Sequence, residues 1–225
     1  MYEKTIKLPL DGWSVEGDLV LPVKVDSIII FSGGSCRYNS HTNAIAKNLQ
    51  KSGFGTLLFN LMTEQEAEDF GKNLSIGQLT QRLLAFTIWI RSHSEYHKLE
   101  LGYFCFNIGA AAALRAVSEI QSAIKAVVTE SARIDLAADK LTDIVTPTML
   151  IVGELDFQNL KRSREAFDVL TCDKRLVVIP GGSHSLDEPG KLSMESRDAT
   201  SWFSKYMSIS SRSREIVFEE PGNRD

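Results

Sequence analysis

Apolar and polar residues alternate over Thr5 to Leu10 and again over Val15 to Leu21, with Asp11-Gly12 between the two segments. Period-two alternation broken by an Asp-Gly pair predicts an antiparallel hairpin. The rhythm then changes. Ser27-Ile28-Ile29-Ile30-Phe31 runs apolar without interruption and ends in Gly33-Gly34, the pattern of a strand covered on both faces. Ile45 and Leu49 stand four apart in a helical stretch, and Gly53, able to take positive φ, marks its end. Gly55 to Asn60 reads as the next strand. Met62 to Phe70 is acidic and aperiodic, a surface loop, and Ser75-x-x-Gln78 is a capping box for a helix through Ile90. The inner face of that helix is Ile76, Leu79, Leu83, Phe86 and Ile90.

Leu99 to Cys105, Ile124 to Thr129, Thr148 to Val152 and Arg175 to Ile179 read as further strands. Between and after them come a small-residue helix over Ile108 to Val117, a helix turning Leu160, Phe167 and Leu170 inward, and a last helix with Pro189 near its start. That last helix turns Leu192, Ala199, Trp202 and Tyr206 inward. The alternation predicts an α/β fold: a doubly wound, mostly parallel sheet with an N-terminal antiparallel hairpin. Sites in such sheets lie at the carboxyl ends of the strands, just after Phe31, Asn60, Phe106, Thr129, Val152 and Pro180. Residues 1–207 read as one domain. Ser208 to Asp225 is polar apart from Ile216-Val217-Phe218 and reads as a tail, disordered or docked as an extra strand.

Composition narrows the function classes. The chain has 225 residues and balances 25 basic against 29 acidic ones, a formal charge of −4, so no basic field gathers a nucleic acid or an anionic membrane. Cys36, Cys105 and Cys172 form neither a disulfide framework nor a zinc or redox pair. No apolar stretch reaches the roughly 18 residues of a membrane span, and Met-Tyr-Glu-Lys-Thr-Ile-Lys lacks a signal-peptide core. These features predict a cytoplasmic protein. Gly33-Gly34 opens no G-x-G-x-x-G fingerprint, so nicotinamide and flavin are unsupported and no cofactor is expected.

The informative pattern lies near the ends of the late strands. Asp156 stands in Val152-Gly153-Glu154-Leu155-Asp156, and His184 in Pro180-Gly181-Gly182-Ser183-His184-Ser185. An acid after one strand and a histidine after the next is the chain order of a hydrolase triad. Each also has a plain reading, Asp156 as a helix cap near Phe157 and His184 as a surface histidine. Further segments are Phe59-Asn60-Leu61, Ile108-Gly109-Ala110-Ala111-Ala112-Ala113-Leu114, Pro147 to Gly153 and Asp187-Glu188-Pro189-Gly190. Together, over about residues 3 to 207, they resemble the dienelactone-hydrolase-like branch of the α/β-hydrolase superfamily. That resemblance implies a nucleophile within G-x-S-x-G or G-x-C-x-G, and the matching stretch is Cys105-Phe106-Asn107-Ile108-Gly109.

Asn107 therefore occupies the nucleophile position. A carboxamide has no proton for His184 to remove and a delocalised nitrogen lone pair, so it forms no acyl-enzyme. Asparagine does tolerate the positive-φ backbone of a strand-to-helix elbow. The oxyanion hole of this fold uses two backbone N–H groups, assigned to Ile108 and Ser35. Cys105 reads as a small buried thiol rather than a displaced nucleophile. Cys36, at the edge of the presumed site, has no matching pattern. His93 and His97 lack the spacing of a metalloprotease helix, and Lys161, Arg162 and Arg164 read as a wet helix face.

Glu130 to Thr146 is too short for a large lid, which predicts an open, shallow site suited to a small-molecule ligand. Three functions stay open. One is a catalytically impaired family member that binds a small molecule or partner. Another is an active hydrolase of small esters or lactones, using a non-standard nucleophile or water activated by His184 and Asp156. The third is a lyase or isomerase with His184 as base.

Overall fold

The run Ser27–Gly33 is buried at every position because both faces of its strand are covered. Ile28 and Ile30 enter one core cluster, whereas Ile29 and Phe31 enter the other. These assignments come from a computed structural model that describes residues 1–10, 13–33, 37, 39–63, 66, 68 and 74–209. Strand β1 (Tyr2–Leu10) pairs antiparallel with β2 (Trp13–Leu21), from Tyr2 opposite Leu21 to Leu10 opposite Trp13. The Asp11-Gly12 turn itself lies outside the described residues. β2 pairs antiparallel with β4 (Gly55–Asn60), and every later pairing is parallel.

β3 (Ser27–Gly33), β5 (Glu100–Phe106), β6 (Ile124–Glu130), β7 (Thr148–Gly153) and β8 (Lys174–Ile179) complete the eight-stranded sheet, ordered β1-β2-β4-β3-β5-β6-β7-β8. The chain steps to one side of β3 for β4 and to the other for β5, which opens a crevice at their carboxyl ends. Helices α1 (Ser40–Lys51) and α5 (Lys191–Tyr206) contact each other on one face. α2 (Ile76–Ser92), α3 (Asn107–Glu119) and α4 (Phe157–Val169) belong to the other, with a tight helical segment, Ile134–Asp143, packed between α3 and α4. This is the α/β-hydrolase fold. The Glu130 to Thr146 connection forms no large lid.

Local signals account for the helix ends. The Ser75 hydroxyl accepts from the Gln78 N–H while Gln78 Oε1 accepts from the Ser75 N–H, a complete capping box. Gly53 follows α1 at φ +93. Of the residues read as inward, Leu79, Leu83, Phe86, Ile90, Leu160, Leu170, Ala199 and Trp202 are buried. Ile76, Phe167, Leu192 and Tyr206 are only half-buried. Ser208, the first residue of the stretch read as a tail, is tied to the sheet: Ser27 Oγ donates to its carbonyl at 2.6 Å, and its N–H donates to Glu100 Oε2 at 2.7 Å. Residues 210–225, including Ile216-Val217-Phe218, lie outside the described residues, as does most of the acidic stretch after Met62.

Candidate active site

At the carboxyl end of β5 the chain turns directly into α3, and the residue on the corner is Asn107 at φ +48. A left-handed conformation costs most L-residues about 1–2 kcal/mol, and asparagine is among the few that adopt it routinely. The corner is tightly built. A Cβ on Gly109 would lie 2.5 Å from the Ser32 carbonyl oxygen and 2.7 Å from Gly33 Cα, so only glycine lets α3 approach β3 so closely. The Asn107 carbonyl accepts from the Arg133 N–H at 3.1 Å. Behind the corner Cys105 is fully buried, and burial pushes its thiol well above the ordinary cysteine range. A thiol held protonated is a poor nucleophile.

The amide of Ile108 stands in the first turn of α3, where backbone N–H groups have no intrahelical acceptor and can serve an oxyanion. The other assigned donor, Ser35, lies outside the described residues, together with Cys36. Of the described residues flanking it in the chain, the Gly33 carbonyl accepts from the Leu61 N–H at 3.1 Å and the Arg37 N–H donates to Asn60 Oδ1 at 3.0 Å. The Arg37 guanidinium reaches back to Asp18 and Glu16 on β2.

The loops after β7 and β8 are pressed together. A Cβ on Gly153 would meet the carbonyl oxygens of Ser183 and Gly182 at 2.2 and 2.4 Å. Leu155 donates to the Gly182 carbonyl, and Gly181 donates to Glu154 Oε2. This contact brings Asp156 Oδ2 to 2.7 Å from His184 Nδ1. Asp156 also caps α4, its side chain accepting from the Asn159 N–H, and Asn159 Nδ2 donates to Asp156 Oδ2 at 2.8 Å. The two readings of Asp156, cap and histidine partner, thus describe one side chain. Burial pushes its carboxyl upward, but the hydrogen bonds from Asn159 and His184 outweigh it and hold the group below the usual aspartate range.

Asn107 and His184 are both exposed and line one cleft of about 200 Å³ with Gly33, Ser131 and Ser185. Among the described residues no hydrogen bond joins the Asn107 carboxamide to the His184 ring. Ser131, at φ +45 on the end of β6, donates from Oγ to the His184 carbonyl at 2.8 Å and so fixes the histidine loop. Sequence reasoning missed it, although it directly follows a strand end. It also missed His41, Glu130 and Glu195: the His41 ring, on the first turn of α1, is 2.8 Å from Glu195 Oε2, a residue 154 positions away. No spacing in the chain could have shown that approach; an acid ending the apolar β6 strand was the available signal.

The weaker candidates fall elsewhere. His93 caps α2 and packs on Trp89, and His97 Nδ1 is 2.7 Å from the Ser94 carbonyl. Arg162 departs from the wet-face reading, since it donates to Asn159 Oδ1 and stands 3.3 Å from Asp135. No described helix is long and apolar enough to cross a membrane.

Comparison with known proteins agrees with this fold. No family model matches the chain. It is 36% identical over 191 residues to a Mycobacterium tuberculosis protein provisionally named a phosphoribosyl transferase; the match takes in 84% of this chain but only 43% of that relative. A solved dienelactone hydrolase from Anabaena variabilis is 35% identical and superposes with a TM-score of 0.86 over 92% of this chain and 99% of its own. A Xanthomonas campestris α/β serine hydrolase without a lid, 18% identical, superposes at 0.72 over 92% of this chain and 96% of its own and shows the shared fold.

Proposed function

The chain belongs to the dienelactone hydrolase family of α/β-hydrolases, and from that membership we propose a catalytically impaired member that binds a small carbonyl or carboxylate compound without forming an acyl-enzyme. The observation that carries this reading is Asn107 on the elbow at φ +48, where the backbone has a nucleophile's geometry and the side chain has no nucleophile's chemistry. Backbone donors do not depend on the side chain, so the Ile108 N–H, with Ser35 as its assigned partner, still favours an oxygen-rich group. The absence of a large lid and a cleft of about 200 Å³ suit a small ligand. A cytoplasmic setting belongs to the same proposal and is supported by the free thiols of Cys105 and Cys172.

One observation favours a second reading. His184 keeps its 2.7 Å contact to an ionised Asp156 while facing solvent, the arrangement of a general base that draws a proton from water. Hydrolysis by activated water would then proceed slowly without an acyl-enzyme. The transferase name of the longer relative finds no support in the cleft. Among its described lining residues are Glu130 and Asp187 and no Lys or Arg, which disfavours a pyrophosphate.

A panel of p-nitrophenyl esters and a fluorophosphonate probe test the proposal, applied to the wild type and to Asn107→Ser. We expect a silent wild type and a serine variant that takes up the probe covalently. Ester turnover by the wild type would overturn the proposal in favour of the water-activating reading.

A further inference from the structure

A second histidine lines the cleft, and its surroundings are unlike those of His184. His41, on the first turn of α1, places Nε2 at 2.8 Å from Glu195 Oε2 and 3.7 Å from Glu130 Oε2. Its Nδ1 is 4.0 Å from Asp187 Oδ1. Glu195 comes from α5 and is 0% exposed; Glu130 ends β6 and is 5% exposed. Glu130 Oε2 and Glu195 Oε1 are both buried without a hydrogen-bond partner among the described residues. One ligand atom from each of His41, Glu130 and Glu195 lies within 4.8 Å of the other two.

Two carboxyl groups are thus buried against one imidazole, more acid than one ring can serve where water does not reach. Burial pushes both carboxyls up, and at Glu130 the adjoining Glu195 carboxyl, by its charge and by hydrogen bonding, adds to the rise. Buried acids of this kind need a counter-charge or further donors, because desolvating a carboxylate costs several kcal/mol. The three groups reach one point from three separate elements, and His41 and Glu130 also line the cleft, which gives an entry path.

We propose that His41 Nε2, Glu130 and Glu195 form a binding site for a divalent cation of the zinc or manganese class. An imidazole with carboxylates suits these borderline and hard ions. Ligand atoms held at about 2.1 Å around a tetrahedral ion stand roughly 3.4 Å apart, and the separations of 2.8 and 3.7 Å bracket that value. Asp187 is placed to take the N–H of the other ring nitrogen after a small movement, the usual outer partner of a metal-bound histidine. The cation would sit at the edge of the same cleft that Asn107 and His184 line. The assignment does not depend on the reading of Asn107.

The test is titration calorimetry of the full chain, stripped with chelator, against zinc, manganese and magnesium chlorides separately. Thermal unfolding is followed alongside, and visible absorption with cobalt reports coordination. We expect one zinc or manganese ion per chain, a raised unfolding temperature and cobalt bands of a low-coordinate site. Glu195→Gln and Glu130→Gln should each weaken binding at least about tenfold, whereas a His93→Asn/His97→Asn double variant should bind as the wild type does. Far-UV circular dichroism identifies variants that fail to fold, and Glu130→Gln decides should Glu195→Gln be one of them. Absence of saturable binding would overturn the proposal and leave a proton shared between the two acids as the counter-charge. Binding that survives Glu130→Gln, or disappears with His93 and His97, would overturn it equally.

Discussion

Two histidines face one cleft, each hydrogen-bonded to a carboxylate, and their environments divide the work such a pair can do. At His184 the ring is exposed, and Asp156 is one carboxylate whose Oδ2 meets two donors, the Asn159 side-chain amide and the imidazole. Its negative charge is well served, and its carboxyl sits below the usual range. At His41 the ring is nearly enclosed, two acids share it, and among the described residues no N–H or hydroxyl group donates to Glu130 Oε2 or Glu195 Oε1. The first arrangement orients an imidazole toward solvent for proton transfer. The second gathers two buried carboxyl groups around one ring, the donor set of a cation site. Burial of the acid and the number of donors it receives, rather than the histidine, separate a base from a ligand site.

The sharpest way to break this comparison is kinetic. In the Asn107→Ser background, Asp156→Asn should slow phosphonylation of the serine by a fluorophosphonate, with loss of fluoride, by about 10³–10⁴-fold, the scale at which an amide in the acid position holds the imidazole in the wrong tautomer. Asparagine caps a helix about as well as aspartate, so the fold should change little. A loss below tenfold in the rate of adduct formation would show that Asp156 serves as a cap alone.

The two regions also differ in how far the chain announces them. Asp156 and His184 could be nominated in advance because each directly follows a strand, and strand ends converge whatever the intervening sequence. The elbow was legible for the same reason: a strand, Asn107, then Ile108-Gly109-Ala110 in a helix of small residues. His41, Glu130 and Glu195 carry no such mark. They meet because α1 and α5 pack together on one face of the sheet, a tertiary contact between segments 154 positions apart. Ser35, nominated from the loop after β3, lies outside the described residues.

Both loops of the exposed pair depend on one absent side chain, which gives the next largest effect. A methyl at Gly153 would have to displace backbone carbonyls at 2.2 and 2.4 Å, with no flexible side chain to give way. Gly153→Ala should destabilise the fold by about 2–3 kcal/mol, at the upper end of overpacking effects. It should also push the His184 loop away from Asp156. Urea unfolding measures the first, and loss of probe uptake in the Asn107→Ser background measures the second. A stability within about 0.5 kcal/mol of wild type would show that the loops move apart freely.

The smallest effect is the most discriminating, because the comparison fixes its sign. Asp156 has a folded pKa depressed below its ordinary value, so its ionised form contributes stability at all pH above that ordinary value, near 3.9, and the contribution fades as pH falls through the lower folded value. Asp156→Asn should therefore lose a little stability at pH 7 and converge on wild type in acid. Glu130 is shifted the opposite way: burial and the Glu195 charge disfavour its ionised form, so between its ordinary value and its raised folded value the group increasingly destabilises the fold. With chelator present, Glu130→Gln should match wild type near pH 4 and exceed it at pH 8, by on the order of 1 kcal/mol. Denaturant curves at both pH values decide it. If the two substitutions shift stability in the same direction at pH 8, the division between a well-served acid and an overcrowded one fails, and both histidines must be read as ordinary ion pairs.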